Sequence, residues 1–138
     1  MEQYFLDLVK KRQSVRAYKT DAVEPEKIAR CIEAARLSPS ACNAQPWKFI
    51  VVDDQKIKNQ IADLTTTKMV PMNHFTKQAP VHVVLVMENP NLTSFVGSVI
   101  RDKPFTLIDI GIAAVQFCLQ ASAEGLGAGR DGVVRREI

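Results

Sequence analysis

Aromatic side chains are scarce in this 138-residue chain, at one Trp, two Tyr and six Phe, so aliphatic side chains must fill most of the core. Cysteine is equally thin. Cys31, Cys42 and Cys118 are odd in number, widely spaced and without a CxxC pattern, which argues against a disulfide scaffold or a zinc site. A dominant charge is missing as well. The 18 Lys and Arg against 15 Asp and Glu leave +3, too small an excess to imply a nucleic-acid or membrane partner. The N-terminus mixes acids and bases within its first turns and does not read as a signal peptide. Residues 81–87 read as the longest near-apolar stretch, far short of the roughly 20 residues that span a bilayer. These absences predict a cytoplasmic setting with neither membrane nor nucleic acid as partner. No GxSxG, Walker-type loop or HExxH occurs, and no nucleophile is paired with a base. If the protein does chemistry, a bound cofactor is expected to do the hard part.

What is present is ordinary for one globular domain: 46% hydrophobic and 24% charged residues. Phe5, Leu8 and Val9 at helical spacing predict a helix over 2–11. A second helix is expected over 25–37, where Ile28, Cys31, Ile32 and Ala35 recur at i, i+3, i+4, i+7 and Pro25 sits in the first turn. Residues 47–52 read as a strand, stopped by Asp53 and Asp54. Those aspartates can cap a third helix carrying Ile57, Ile61 and Leu64. Residues 65–80 read as irregular. Residues 81–87 form a continuous apolar run expected of a strand buried on both faces. Residues 105–124 predict a helix apolar almost all round, which belongs in a centre or at a subunit interface. Gly125 or Gly127 is expected to stop it. This order gives an α+β or mixed α/β domain with few strands.

Three constellations stand out. Arg12, Ser14 and Arg16 alternate just past the first helix, and two guanidiniums with a hydroxyl can hold a phosphate. The same segment also reads as a solvated basic helix end. Ser40, Asn43 and Gln45 lie in a loop pinned by Pro39 and Pro46, a rigid polar array able to read the edge of a heterocycle. It equally suits a Ser/Asn turn that leads into a strand anchored by Trp47. Finally, residues 125–129, GLGAG, look like a fragment of a dinucleotide fingerprint but follow a helix rather than a strand, so they read as a helix cap with an extra glycine, with tight backbone approach to a ligand as the other reading. Asp109, on the apolar helix, is expected to bond to backbone or a neighbouring loop.

Taken together, residues 12–18 (RQSVRAY), the PSACNAQPW block at 39–47 and the Asp109 helix ending in GLGAG resemble the nitroreductase family of flavin enzymes. The resemblance implies an α+β nitroreductase-like fold with a small mixed or antiparallel sheet flanked by helices. It also implies a long central apolar helix at a homodimer interface. Residues 1–138 would then be a single domain with 128–138 as a divergent or truncated tail. FMN is the implied cofactor and NADH or NADPH the electron donor, with a nitroaromatic or quinone-like acceptor. Arg12, Gln13, Ser14 and Arg16 match the segment that contacts flavin. Pro39, Ser40, Ala41 and Asn43 match a loop that reaches the flavin bound mainly by the other subunit, and Gln45 matches the motif as an orienting residue. No residue is implied as a catalytic acid or base. Asn73 and Lys77 are further contact candidates, and Arg130, Arg135 and Arg136 are candidate tail cations. A dimeric flavin-binding module without turnover is the alternative that the short tail suggests.

Overall fold

A computed structural model describes residues 3–66, 74–89, 95–97, 99 and 104–130. Helix α1, Tyr4–Lys11, has Asp7 in its first turn and Lys10 and Lys11 in its last, each of the sign that complements the helix dipole. It buries no residue: Phe5 and Val9 of its apolar stripe stay exposed. Helix α2, Pro25–Arg36, starts on Pro25, as the sequence predicts. Its Cys31 and Ala35 are fully buried. Strand β1, Trp47–Val52, follows a short 3₁₀ turn at Ala41–Asn43. Helix α3, Gln55–Thr65, begins at the cap expected from the sequence, with the Asp54 carboxylate accepting the Ile57 N–H at 2.9 Å.

Strand β2, His82–Met87, lies antiparallel to β1, with Trp47 opposite Met87 and Val52 opposite His82. This two-stranded sheet corrects the expectation that β2 is buried on both faces. Its residues are half-buried and Met87 is exposed, because among the described residues β1 is its only strand neighbour. Residues 74–78, expected to be irregular, form a 3₁₀ turn that packs on α3. Buried Lys58 ties the two together by donating to the Lys77 carbonyl at 2.8 Å.

Helix α4, Phe105–Ala123, runs through the centre. Ala35 of α2 and Ala113 of α4 are both fully buried, and such small side chains let two helices approach closely. Around them gather Trp47, Phe49, Leu85, Ile110 and Phe117. Trp47 and Phe49 alternate along β1 onto the face toward α4, the period expected of a strand. The opposite face of α4 is bare: Leu107, Ile108 and Val115 are 46–61% exposed. By length and composition α4 also suits a membrane span, which corrects the reading of 81–87 as the longest apolar run. Core helices of globular folds share that composition, and α4 carries a buried, hydrogen-bonded aspartate on its packed face.

The helix stops as a Schellman motif. Gly125 takes φ +76°, its N–H donates to the Ser122 carbonyl at 3.2 Å, and the Leu126 N–H donates to the Ala121 carbonyl at 2.8 Å.

Candidate functional site

The first part of the candidate site hangs on the end of α1. Arg12 caps that helix with extended dihedrals, and the chain then pairs with the segment beyond α4: Ser14 and Ala128 form a parallel bridge, with the Val15 N–H donating to the Ala128 carbonyl at 3.1 Å. Between them lies a cleft of about 320 Å³ lined by Lys11, Arg12, Gln13, Val15, Cys118, Ser122 and residues 125–128. Burial pushes the Cys118 thiol above its ordinary range against the opposing pull of the Arg12 and Arg130 guanidiniums, so both cations lie near this wall.

The arginines divide into two kinds. Arg30 makes a two-pronged pair with Glu124 at 2.7 Å, and Arg36 does the same with Glu33 at 2.7–2.8 Å. Arg12 and Arg16, by contrast, show no side-chain hydrogen bond or ion pair among the described residues. Two guanidiniums with no carboxylate partner among the described residues, on either side of the exposed Ser14 in sequence, are the donor types that a phosphate group would use; of the three residues, Arg12 lines the cleft, and Ser14 and Arg16 lie outside its lining. The residues present therefore fit the phosphate end of FMN.

The second part is the loop at 38–46, and it is held rigid from within. The Ser40 hydroxyl accepts the Gln45 N–H at 3.0 Å, and the Gln45 carbonyl accepts the Trp47 N–H at 2.8 Å. Cys42, Asn43 and Gln45 all adopt positive φ, between 47° and 53°. Such left-handed backbone at non-glycine residues persists only where the surroundings impose it. Here Ser40 holds the Gln45 end of the loop and Asp109 holds its start. The Ala41 N–H donates to both of its carboxylate oxygens, at 3.2 and 3.1 Å, and Asp109 is only 4% exposed. The sequence reading of Asp109 as a backbone-bonding residue of α4 is met in this contact. Pro39, Asn43 and Gln45 are exposed and Ser40 is half-exposed, while the Ser38 hydroxyl is buried without a hydrogen-bond partner among the described residues.

One chain does not bring these two parts together. The loop is anchored at Asp109, in the second turn of α4, and the cleft is walled by Cys118 and Ser122 near its other end. Thirteen residues at 1.5 Å each separate Asp109 from Ser122 by about 20 Å along the axis. Of the further candidates, Lys77 is paired with Asp63 at 2.6 Å, and Asn73, Arg135 and Arg136 lie outside the described residues. No group of three potential metal ligands occurs among the described residues.

The sequence reading missed how residues 127–129 are used. Gly127 packs on the Val15 side chain, and Gly129 lies against the Val15 carbonyl and the Tyr18 hydroxyl. Glycines two apart in an extended segment point the same way, a signal available from spacing alone.

The sequence profile of the nitroreductase family matches residues 9–132. A Methanothermobacter thermautotrophicus protein, named for NADH dehydrogenase or NAD(P)H nitroreductase activity, is 30% identical over 128 residues, 93% of this chain and 60% of its own. A solved nitroreductase family protein from Clostridium novyi superposes with a TM-score of 0.75 at 32% identity, covering 89% of this chain and 66% of that one. An FMN-dependent nitroreductase from Clostridium difficile gives a TM-score of 0.71 at 33% identity, covering 88% and 62%. The chain thus spans less than two thirds of each of these relatives.

Proposed function

The chain belongs to the nitroreductase family, and on that premise we propose that it works as a homodimeric, FMN-dependent oxidoreductase. NADH or NADPH donates, and a nitroaromatic or quinone-like molecule accepts. The observation that carries this reading is the separation of the two half-sites along a helix whose outer face is apolar and bare. Two copies of α4 packed antiparallel about a two-fold axis cover Leu107, Ile108 and Val115 on both. The same packing sets the loop of one copy beside the cleft of the other.

FMN held by these residues would supply two-electron redox chemistry between a nicotinamide donor and the acceptor. The protein's own residues bind and orient. Arg12, Gln13, Ser14 and Arg16 hold the phosphate end. Pro39, Ser40, Ala41 and Asn43 present a rigid rim to the ring across the interface, with Gln45 locking the loop through its own backbone. No side chain is assigned as acid or base, since solvent supplies protons. Residues 1–138 act as a single domain, and a cytoplasmic setting, where three thiols stay reduced and nicotinamide cofactors abound, suits the reading.

The visible spectrum of the purified chain tests the proposal. Protein that takes up FMN, turns yellow and is bleached anaerobically by NADH or NADPH supports it. Colourless protein that ignores added FMN refutes it.

A further inference from the structure

We infer that Gly129 is a positioning residue for the anion-binding segment 12–16, leaving room for the contacts that fix the Val15 peptide between Ser14 and Arg16. The inference rests on the flavin reading above and extends it to the segment beyond α4. The geometry is specific. A Cβ on Gly129 would lie 2.5 Å from the Tyr18 hydroxyl and 2.6 Å from the Val15 carbonyl oxygen, both far inside van der Waals contact. The Tyr18 hydroxyl donates to that same carbonyl at 2.8 Å, so the three groups form one closed cluster. On the other side of the bridge, the Val15 N–H donates to the Ala128 carbonyl. Val15 is thus held at its N–H by Ala128 and at its carbonyl by Tyr18, with Gly129 leaving the space for both.

A side chain at 129 cannot be absorbed by a flexible neighbour, because one of the two atoms it meets is backbone. Residue 129 and the peptide between Val15 and Arg16 must move apart, and the bridge that sets Arg16 in place is disturbed with them. Gly127 is a milder case of the same packing. Its Cβ would meet only the Val15 side chain, at 3.0–3.3 Å, and a valine can shift by tenths of an ångström. The two glycines therefore predict a graded series, set by the closeness and kind of atom each would strike.

The test compares FMN with riboflavin, which has the same ring and ribityl chain but no phosphate. Wild type, Gly129→Ala, Gly127→Ala and Val52→Ala are titrated with each flavin in the full 138-residue chain, and thermal unfolding is recorded for each. Gly129→Ala is expected to weaken FMN about tenfold, the loss of about one charge-assisted hydrogen bond. Riboflavin affinity stays within about twofold, since no phosphate contact is at stake. Gly127→Ala falls between wild type and Gly129→Ala. Val52→Ala removes buried volume on β1, outside the bridge between Ser14 and Ala128, so it lowers the melting temperature without changing the ratio of the two affinities. Equal weakening of both flavins by Gly129→Ala, or no weakening of either, overturns the inference while leaving the flavin reading intact. Wild type that binds neither flavin overturns both.

Discussion

Replacing Asp109 by alanine removes a buried side chain that bonds the loop at 41–45 to α4. The carboxylate is 4% exposed and its two oxygens share the single Ala41 N–H at 3.1–3.2 Å. Because one donor is shared, the contact counts once, as a hydrogen bond to a charged group worth about 1.5–3 kcal/mol. Its loss leaves the Ala41 N–H without a partner, which places the expected destabilisation at about 2–3 kcal/mol. With a urea dependence of about 1–3 kcal/mol per molar for a chain of this size, the midpoint falls by about 0.7–3 M. Asp109→Asn keeps the shape and one carbonyl oxygen but makes only a neutral bond, so it is expected to lose about half as much. Trp47 is the single tryptophan, 8% exposed and six residues beyond Ala41, so its fluorescence follows unfolding from beside the loop. Freed of Asp109, the left-handed residues Cys42, Asn43 and Gln45 lose the hold at the start of their loop, and flavin affinity falls in the alanine variant. An alanine variant within about 0.5 kcal/mol of wild type, or an asparagine variant no better than alanine, refutes the anchoring argument.

Arg12→Ala and Arg16→Ala are each expected to weaken FMN binding by about 1.5–3 kcal/mol, roughly 10- to 150-fold, and riboflavin binding far less. Equilibrium titration by flavin fluorescence reads this directly, and equal effects on both ligands would place the arginines elsewhere. Ile108→Glu combined with Val115→Glu puts charge on the bare face of α4, where each apolar side chain buried by a second copy contributes about 1.5–3 kcal/mol. Sedimentation at micromolar concentration is expected to show dimers for wild type and monomers for the double variant; a variant that stays dimeric excludes this face as the interface. Glu124 offers a pH test. Hydrogen bonds from Arg30 and then Gln120 hold its carboxyl at about 2, against an ordinary 4.5. A depressed carboxyl stabilises the fold above pH 4.5, and that contribution drains away as pH falls toward 2. Urea midpoints of Glu124→Gln are therefore expected to fall less steeply than wild type within that window and to run parallel to it above; identical acid limbs would show that the pair does not couple to folding.

The sequence carried the elements that local chemistry decides. Pro25 starts α2, Asp54 caps α3, Gly125 ends α4 and the run at 47–52 is a strand, each through a property of one or two residues. The candidate site residues were legible as donors and as a rigid loop for the same reason. Contacts between distant segments were not. Nothing local in residues 127–129 tells that they run beside Ser14, and nothing in 82–87 reveals that one neighbouring strand leaves them half-buried. Even the all-round apolarity of α4 gave only half its meaning. It showed that two faces need cover, but α2, Trp47 and Phe49 had to be seen on one of them before the other could be recognised as bare.

Helix α4 also acts as a ruler. Asp109 sets one mark and Cys118 another, and the number of residues between them is a length as well as a sequence. Adding or deleting a single residue there turns one mark by about 100° and shifts it by about 1.5 Å relative to the other. Side-chain identity along the bare face can drift among apolar types without consequence for that measure. The count cannot, so between 109 and 118 the bare face tolerates a change of apolar side chain but not an insertion.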